Sequence, residues 1–190
     1  GERQKSLSWI GEADGANEAD SLSLASSRFK FFSQVQNLGC HVVSGLVISA
    51  LLPAVAHGGN YFLSLSQVIS GNASCTVQNL TEPPGFPVHP EELQHASRLN
   101  GSNSRCQVVR CHLGLLAKGT EISVRLLRLV HNEFFRRAKF KSVTVVSTFK
   151  LGTEEGSVLL LNEASRSSEL GFFTRKKIPK EEESEEKLEQ

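Results

Sequence analysis

Thr120-Glu-Ile-Ser-Val-Arg-Leu-Leu-Arg-Leu-Val-His131 decides the fold class. Along it Thr120, Ile122, Val124, Leu126 and Val130 fall on one face and Glu121, Ser123 and Arg125 on the other. That is the two-residue period of a strand with one side packed and one side wet. Gln107–Leu116 and Phe140–Leu151, on either side, read as further strands. Upstream, Phe29, Phe31 and Val35, then His41-Val-Val-Ser-Gly-Leu-Val-Ile-Ser-Ala-Leu-Leu52, are β-rich runs broken at Asn37-Leu-Gly39 and closed by Pro53. His57-Gly-Gly-Asn60 predicts a tight turn, and Tyr61–Ile69 alternates apolar and Ser positions as a half-buried strand does. Val158–Leu161 fits an edge strand. Many short strands with turns between them predict an all-β chain, an antiparallel β-sandwich over residues 28–162.

The segments around this unit read differently. Residues 81–104, with Pro83-Pro-Gly85, Pro87, Pro90 and Asn100-Gly101, predict a long surface loop with room for one helical turn near Glu91. Residues 1–27 carry scattered Gly, Ser and acidic residues without a period and are expected to be a disordered N-terminal segment. Residues 163–170 form a junction, and residues 171–190 end in the run Lys180-Glu-Glu-Glu-Ser-Glu-Glu-Lys-Leu-Glu-Gln190. Like charges repel and bury nothing, so this C-terminal tail is also expected to be disordered.

Charge sets the first functional exclusions. Lys and Arg number 21 against 20 Asp and Glu, which leaves no net field to draw nucleic acid or an anionic surface. Between Lys30 and Glu82 there is no Asp, Glu, Lys or Arg, so that region is expected to be buried or covered by sugar. Its most apolar run, Val42–Ala56, is shorter than the ~18–20 residues that cross hydrocarbon, and Ser44, Gly45, Ser49 and Pro53 interrupt it. With Gly1 first, no Met and no leader-like opening, the chain reads as a fragment.

Asn72-Ala-Ser74, Asn79-Leu-Thr81 and Asn100-Gly-Ser102 match the N-glycosylation acceptor pattern. Three such triplets in the loop-rich part of the chain point to the secretory pathway. Cys40, Cys75, Cys106 and Cys111 allow three complete pairings. The close Cys106/Cys111 spacing suits a small bridge across a turn, and Cys40, beside a strand, suits a buried reduced thiol. A metal site using His112 would need a second close pair of ligands, and none is present in the sequence.

No nucleophile elbow, phosphate loop or zinc-protease helix occurs, so the chain is not expected to be an enzyme. His89 and His95 flank Glu91 and Glu92, but in a proline-rich loop such groups are ordinarily solvated. Arg125, Arg128, Arg136, Arg137, Lys139 and Lys141, with Phe134, Phe135 and Phe140 between them, have the make-up of a polyanion patch. Strand-end charges on a sandwich surface explain them more simply.

Gly171-Phe-Phe-Thr-Arg175 is the signature that integrin alpha subunits carry at the inner membrane face, and the continuation to Gln190 is similar to an alpha-chain tail. Gln36-Asn-Leu-Gly-Cys40, Ala54-Val-Ala-His-Gly-Gly-Asn-Tyr-Phe-Leu-Ser-Leu-Ser66, Asn100-Gly-Ser-Asn103 and Leu129-Val-His-Asn-Glu-Phe-Phe-Arg-Arg137 resemble the same family. The resemblance spans residues 29–190 and implies the calf-2 module, a lower-leg β-sandwich, followed by a cytoplasmic-type tail. It implies a Cys106–Cys111 bridge. It also implies that Gly171, Phe172, Phe173 and Arg175 clasp a beta subunit, with the two rings at the lipid boundary and Arg175 facing a beta-chain aspartate. A charge pair at that low-dielectric edge is stronger than in water.

The parent class it implies is a collagen receptor in the plasma membrane, a heterodimer with a beta chain of the beta-1 type, with further proteins binding its tail. The divalent cations and the collagen contact of such receptors belong to head domains, so no cofactor and no collagen contact are expected of this chain. Between Ser168 and Leu170, where the family places its membrane span, only Glu169 stands. Sugars and disulfides would then form only if the whole chain entered the secretory lumen. The competing expectation is a soluble secreted β-sandwich interaction module or decoy without signalling.

Overall fold

The computed structural model describes residues 7–14, 18–20, 28–89, 98–138, 142–154 and 165–173, with side chains described within residues 33–154 except Arg136. In chain order the elements are β1 Leu7–Asp14, β2 Glu18–Asp20, β3 Arg28–Asn37, β4 Leu46–Val55, β5 Leu63–Ser70, β6 Ala73–Thr81, β7 Arg98–Leu99, β8 Arg105–Leu113, β9 Glu121–Val130, α1 Asn132–Arg137, β10 Ser142–Thr153 and β11 Ser165–Phe173. One sheet has the order β1-β3-β9-β5 and the other β2-β11-β10-β4-β8-β6, with β7 also on β10. All pairings are antiparallel except β7 with β10 and β2 with β11. The fold is the expected β-sandwich.

The alternation in β9 is what joins the two sheets. Ile122, Val124, Leu126 and Val130 are buried, and the first three pack with Val35 of β3 against Ile48, Ala50, Val109, Phe149 and Leu151 of the facing sheet. Burying such side chains contributes about 1.5–3 kcal/mol each, the main favourable term of the sandwich. Arg128 occupies the same inward row and is only 7% exposed. Its guanidinium donates to Ser147 Oγ at 2.8 Å and to the Pro53 carbonyl at 3.1 Å, so one side chain of the smaller sheet is tied to two strands of the larger.

A second apolar cluster closes one end of the sandwich. Phe62, Phe134 and Phe135 stack there at centroid distances of 5.2–6.4 Å with Leu63, Leu99, Val130, Val143 and Val145. The six-residue α1, which the strand pattern does not predict, delivers two of these rings. At the other end Asn37 is fully buried. Its Nδ2 donates to the carbonyls of His41 and Leu116 at 2.7 and 2.9 Å, and its Oδ1 accepts from the Gly39 amide. The predicted break at Asn37–Gly39 is therefore a side-chain-locked corner.

Several boundaries differ from the sequence reading. β4 runs through Pro53 to Val55, because a register shift there accommodates the missing N–H of proline. β6 forms inside the sequon-bearing stretch, which the strand pattern left unassigned. Residues 1–27 contribute β1 and β2, and the junction 163–170 together with Gly171–Phe173 supplies β11. All three lie at or near sheet margins, where backbone hydrogen bonds to an existing strand suffice and no apolar period is needed. The edge strand expected at Val158–Leu161 and the turn near Glu91 lie outside the described residues. The turn at His57–Gly59 is a short 3-10 segment in which Gly58 and Gly59 have φ of +78° and +76°, the left-handed backbone that favours glycine.

Candidate functional site

The chemistry-bearing residues are dispersed. Among the described residues no group of three or more His, Cys, Asp or Glu is placed to hold a metal ion. His112 faces out of β8, and its Nδ1 lies 2.8 Å from a carboxylate oxygen of Glu154, while Cys111 beside it points inward. His89 meets His57 ring to ring at 3.7 Å, and Glu91, Glu92 and His95 lie outside the described residues. The basic and aromatic run after Val124 also separates. Arg125 and Arg137 are exposed, Arg128 is buried, and Phe134 and Phe135 belong to the core. Phe140, Lys139 and Lys141 lie outside the described residues.

The disulfide differs from the one the family resemblance implies. Cys75 of β6 is bonded to Cys111 of β8, its direct register partner, closing 36 residues of chain. Cys106 and Cys111 lie five residues apart on a single extended strand, about 16 Å at ~3.3 Å per residue, beyond the ~7 Å between Cα atoms that a bridge can span. Cys106 is instead a buried free thiol, and Cys40 a free one in the loop after β3, exposed where burial was expected. Burial raises the Cys106 pKa from 9.0 to about 11, against the lowering influence of the nearby Arg128 charge and a hydrogen bond with Thr81. Strand register is a tertiary property, so the free thiol at Cys106 was not legible from spacing.

The three sequons occupy one margin and one loop. Asn72 is exposed in the turn from β5 to β6, and Asn79 is exposed on β6, the terminal strand of the larger sheet. Asn100 is half-buried, and its Oδ1 accepts from the Ser102 amide at 3.0 Å and from Ser102 Oγ at 2.5 Å.

Gly171, Phe172 and Phe173 are the last three residues of β11, in register with Thr144, Val143 and Ser142 of β10 on one side. On the other side they pair in parallel with Glu18, Ala19 and Asp20 of β2. Arg175 lies outside the described residues, as does the rest of the tail. Among the described residues no helix is long and apolar enough to cross a membrane.

The family model for integrin alpha Ig-like domain 3 matches residues 81–170 and stops one residue before Gly171. Human integrin alpha-10 is 68% identical over a 200-residue alignment that takes in 85% of this chain. The sequence is of integrin alpha type. Human and mouse integrin alpha-11 are 28% and 29% identical over 147 residues, 76% of the chain. The chain spans 17% of the length of integrin alpha-10 and 12% of each integrin alpha-11. Because 85% of 190 residues is about 162, an alignment 200 long includes positions of integrin alpha-10 that have no counterpart here. Solved structures overlay loosely. They include a family 3b carbohydrate-binding module from Clostridium clariflavum, with TM-score 0.35, 11% identity and 87% of each chain covered. The macrocyclisation catalyst AvmM of alchivemycin A biosynthesis overlays with TM-score 0.38, 8% identity and 90% of each chain covered. Likenesses this distant carry no functional statement.

Proposed function

We propose that the chain acts as the lower-leg part of an integrin alpha-type adhesion receptor, with a structural and pairing role in place of catalysis. The identity to integrin alpha-10 over 85% of the chain, on a β-sandwich, carries this reading. The partner is an integrin beta subunit, of the beta-1 type, engaged through the sandwich surface. In the parent receptor a collagen-type matrix is bound by domains beyond the stretch matched here, so this chain makes no collagen contact of its own and needs no cofactor. The clasp by Gly171, Phe172, Phe173 and Arg175, and any tail-binding protein, require residues 171–190 to be available outside the sheet. The sequons at Asn72, Asn79 and Asn100 and the Cys75–Cys111 bridge suit a chain that folds in the secretory lumen.

The test is expression behind a signal peptide in secretory cells that carry beta-1 integrin. A glycosidase-sensitive mobility shift and recovery of the chain on beta-1 antibodies are the expected outcome. A shifted chain that never associates with beta-1 would overturn the pairing role and leave a stand-alone secreted module. An unshifted chain would overturn the lumenal assignment.

A further inference from the structure

Gly171–Phe173 is the only stretch of β11 with strand partners on both sides among the described residues. β10 pairs along Ser165–Phe173, whereas β2 pairs with these three residues alone. A segment in this position has its backbone donors and acceptors directed to two neighbours at once. Backbone engaged in this way cannot simultaneously be wound into a helix or laid along another protein, because each N–H and C=O serves one ladder at a time. The register adds a second constraint. Phe172 stands opposite Val143 and Leu170 opposite Val145, both at most 1% exposed, while Phe173 stands opposite the exposed Ser142. Each residue of the motif therefore has a fixed register partner in β10.

We propose that this chain withholds its Gly-Phe-Phe motif from a beta-subunit partner by using it as an interior strand segment, capped by Glu18–Asp20. The motif becomes available only when β11 detaches from β10. Its function as a clasp is then gated by a local opening of the sheet, separately from any pairing made by the sandwich surface. The proposal rests on the integrin reading for the identity of the excluded partner, but the occupancy of the strand does not.

Amide exchange on the full glycan-free chain, resolved residue by residue by NMR, tests it. Gly171–Phe173 is expected to exchange at least about 100-fold more slowly than an unstructured peptide of the same sequence, since strand amides open far less often than unpaired ones. Glu18–Asp20 is expected to share that protection. Gly171→Pro, which removes one ladder N–H, should abolish the protection at residues 172–173 and 18–20, whereas Glu185→Pro in the tail should leave it unchanged. Retained protection at Val109 and Val124 in both variants would establish that the sandwich is still folded. If Gly171→Pro unfolds the sandwich, Ala19→Pro, which acts on β2 alone, supplies the same contrast at Gly171–Phe173. Exchange at 171–173 as fast as in the unstructured peptide, or protection at 172–173 unchanged by Gly171→Pro, would overturn the proposal. Protection without any beta-1 capture by the chain would leave the strand assignment standing and overturn the pairing role instead.

Discussion

Arg128 carries its charge into the space between the sheets, where its described partners are a hydroxyl and a carbonyl. Desolvation pulls its pKa down to about 10, and it remains protonated at neutral pH. Arg128→Ala would leave the Pro53 carbonyl and a void, an expected loss of about 3 kcal/mol in urea denaturation. Arg128→Met, which fills the space without a charge to desolvate, should lose clearly less. An alanine variant as stable as the parent would refute the linking role. Cys106, beside it, has its folded pKa raised from 9.0 to about 11. The unfolded thiol therefore ionises first, and its contribution to stability, complete below pH 9, is lost as the pH rises toward 11. Denaturation midpoints at pH 8 and pH 10 should differ more for the parent than for Cys106→Ala. Neither effect is visible in sequence, where Arg128 reads as one of six surface cations.

Strands β6 and β8 meet in the register that places Cys75 opposite Cys111, so their bridge is a property of the pair. Cys75→Ala should reduce stability by about 3 kcal/mol, the usual size for a bridge closing a loop of a few tens of residues. Native thiol titration should find Cys40 reacting at once and Cys106 only after unfolding, because a buried thiol with a raised pKa offers little thiolate. Two fast thiols, or a mapped Cys106–Cys111 peptide, would contradict the register. β6 also explains why its stretch is hard to read. Residues 76–79 are exposed and uncharged, a terminal strand held by one neighbour and lacking the inward apolar row that makes β9 legible. A bare polar edge of this kind invites pairing with another chain, and a sugar at Asn79 would block it. Asn79→Gln made in secretory cells should lose one glycan and show more dimer in gel filtration than Asn100→Gln.

At the scale of the whole molecule, the two sheets share one core, and β1 brings the sole tryptophan, Trp9, into register with the buried Val35. Unfolding followed by Trp9 fluorescence and by far-ultraviolet circular dichroism should therefore give one coincident transition. A fluorescence change outside that transition would separate the first strand from the fold. The sequence by itself determined the sandwich class, the inward row of β9, the glycine turn at His57–Gly59 and the family resemblance, because each is written in local period or motif. Tertiary structure decided the rest: which cysteines meet, that Arg128 lies inside, that Phe134 and Phe135 are core, and that Gly171–Phe173 is strand. Those outcomes depend on which backbone lies beside which. A strand at a sheet margin takes its hydrogen bonds from a neighbour distant in sequence, and no local pattern records that neighbour.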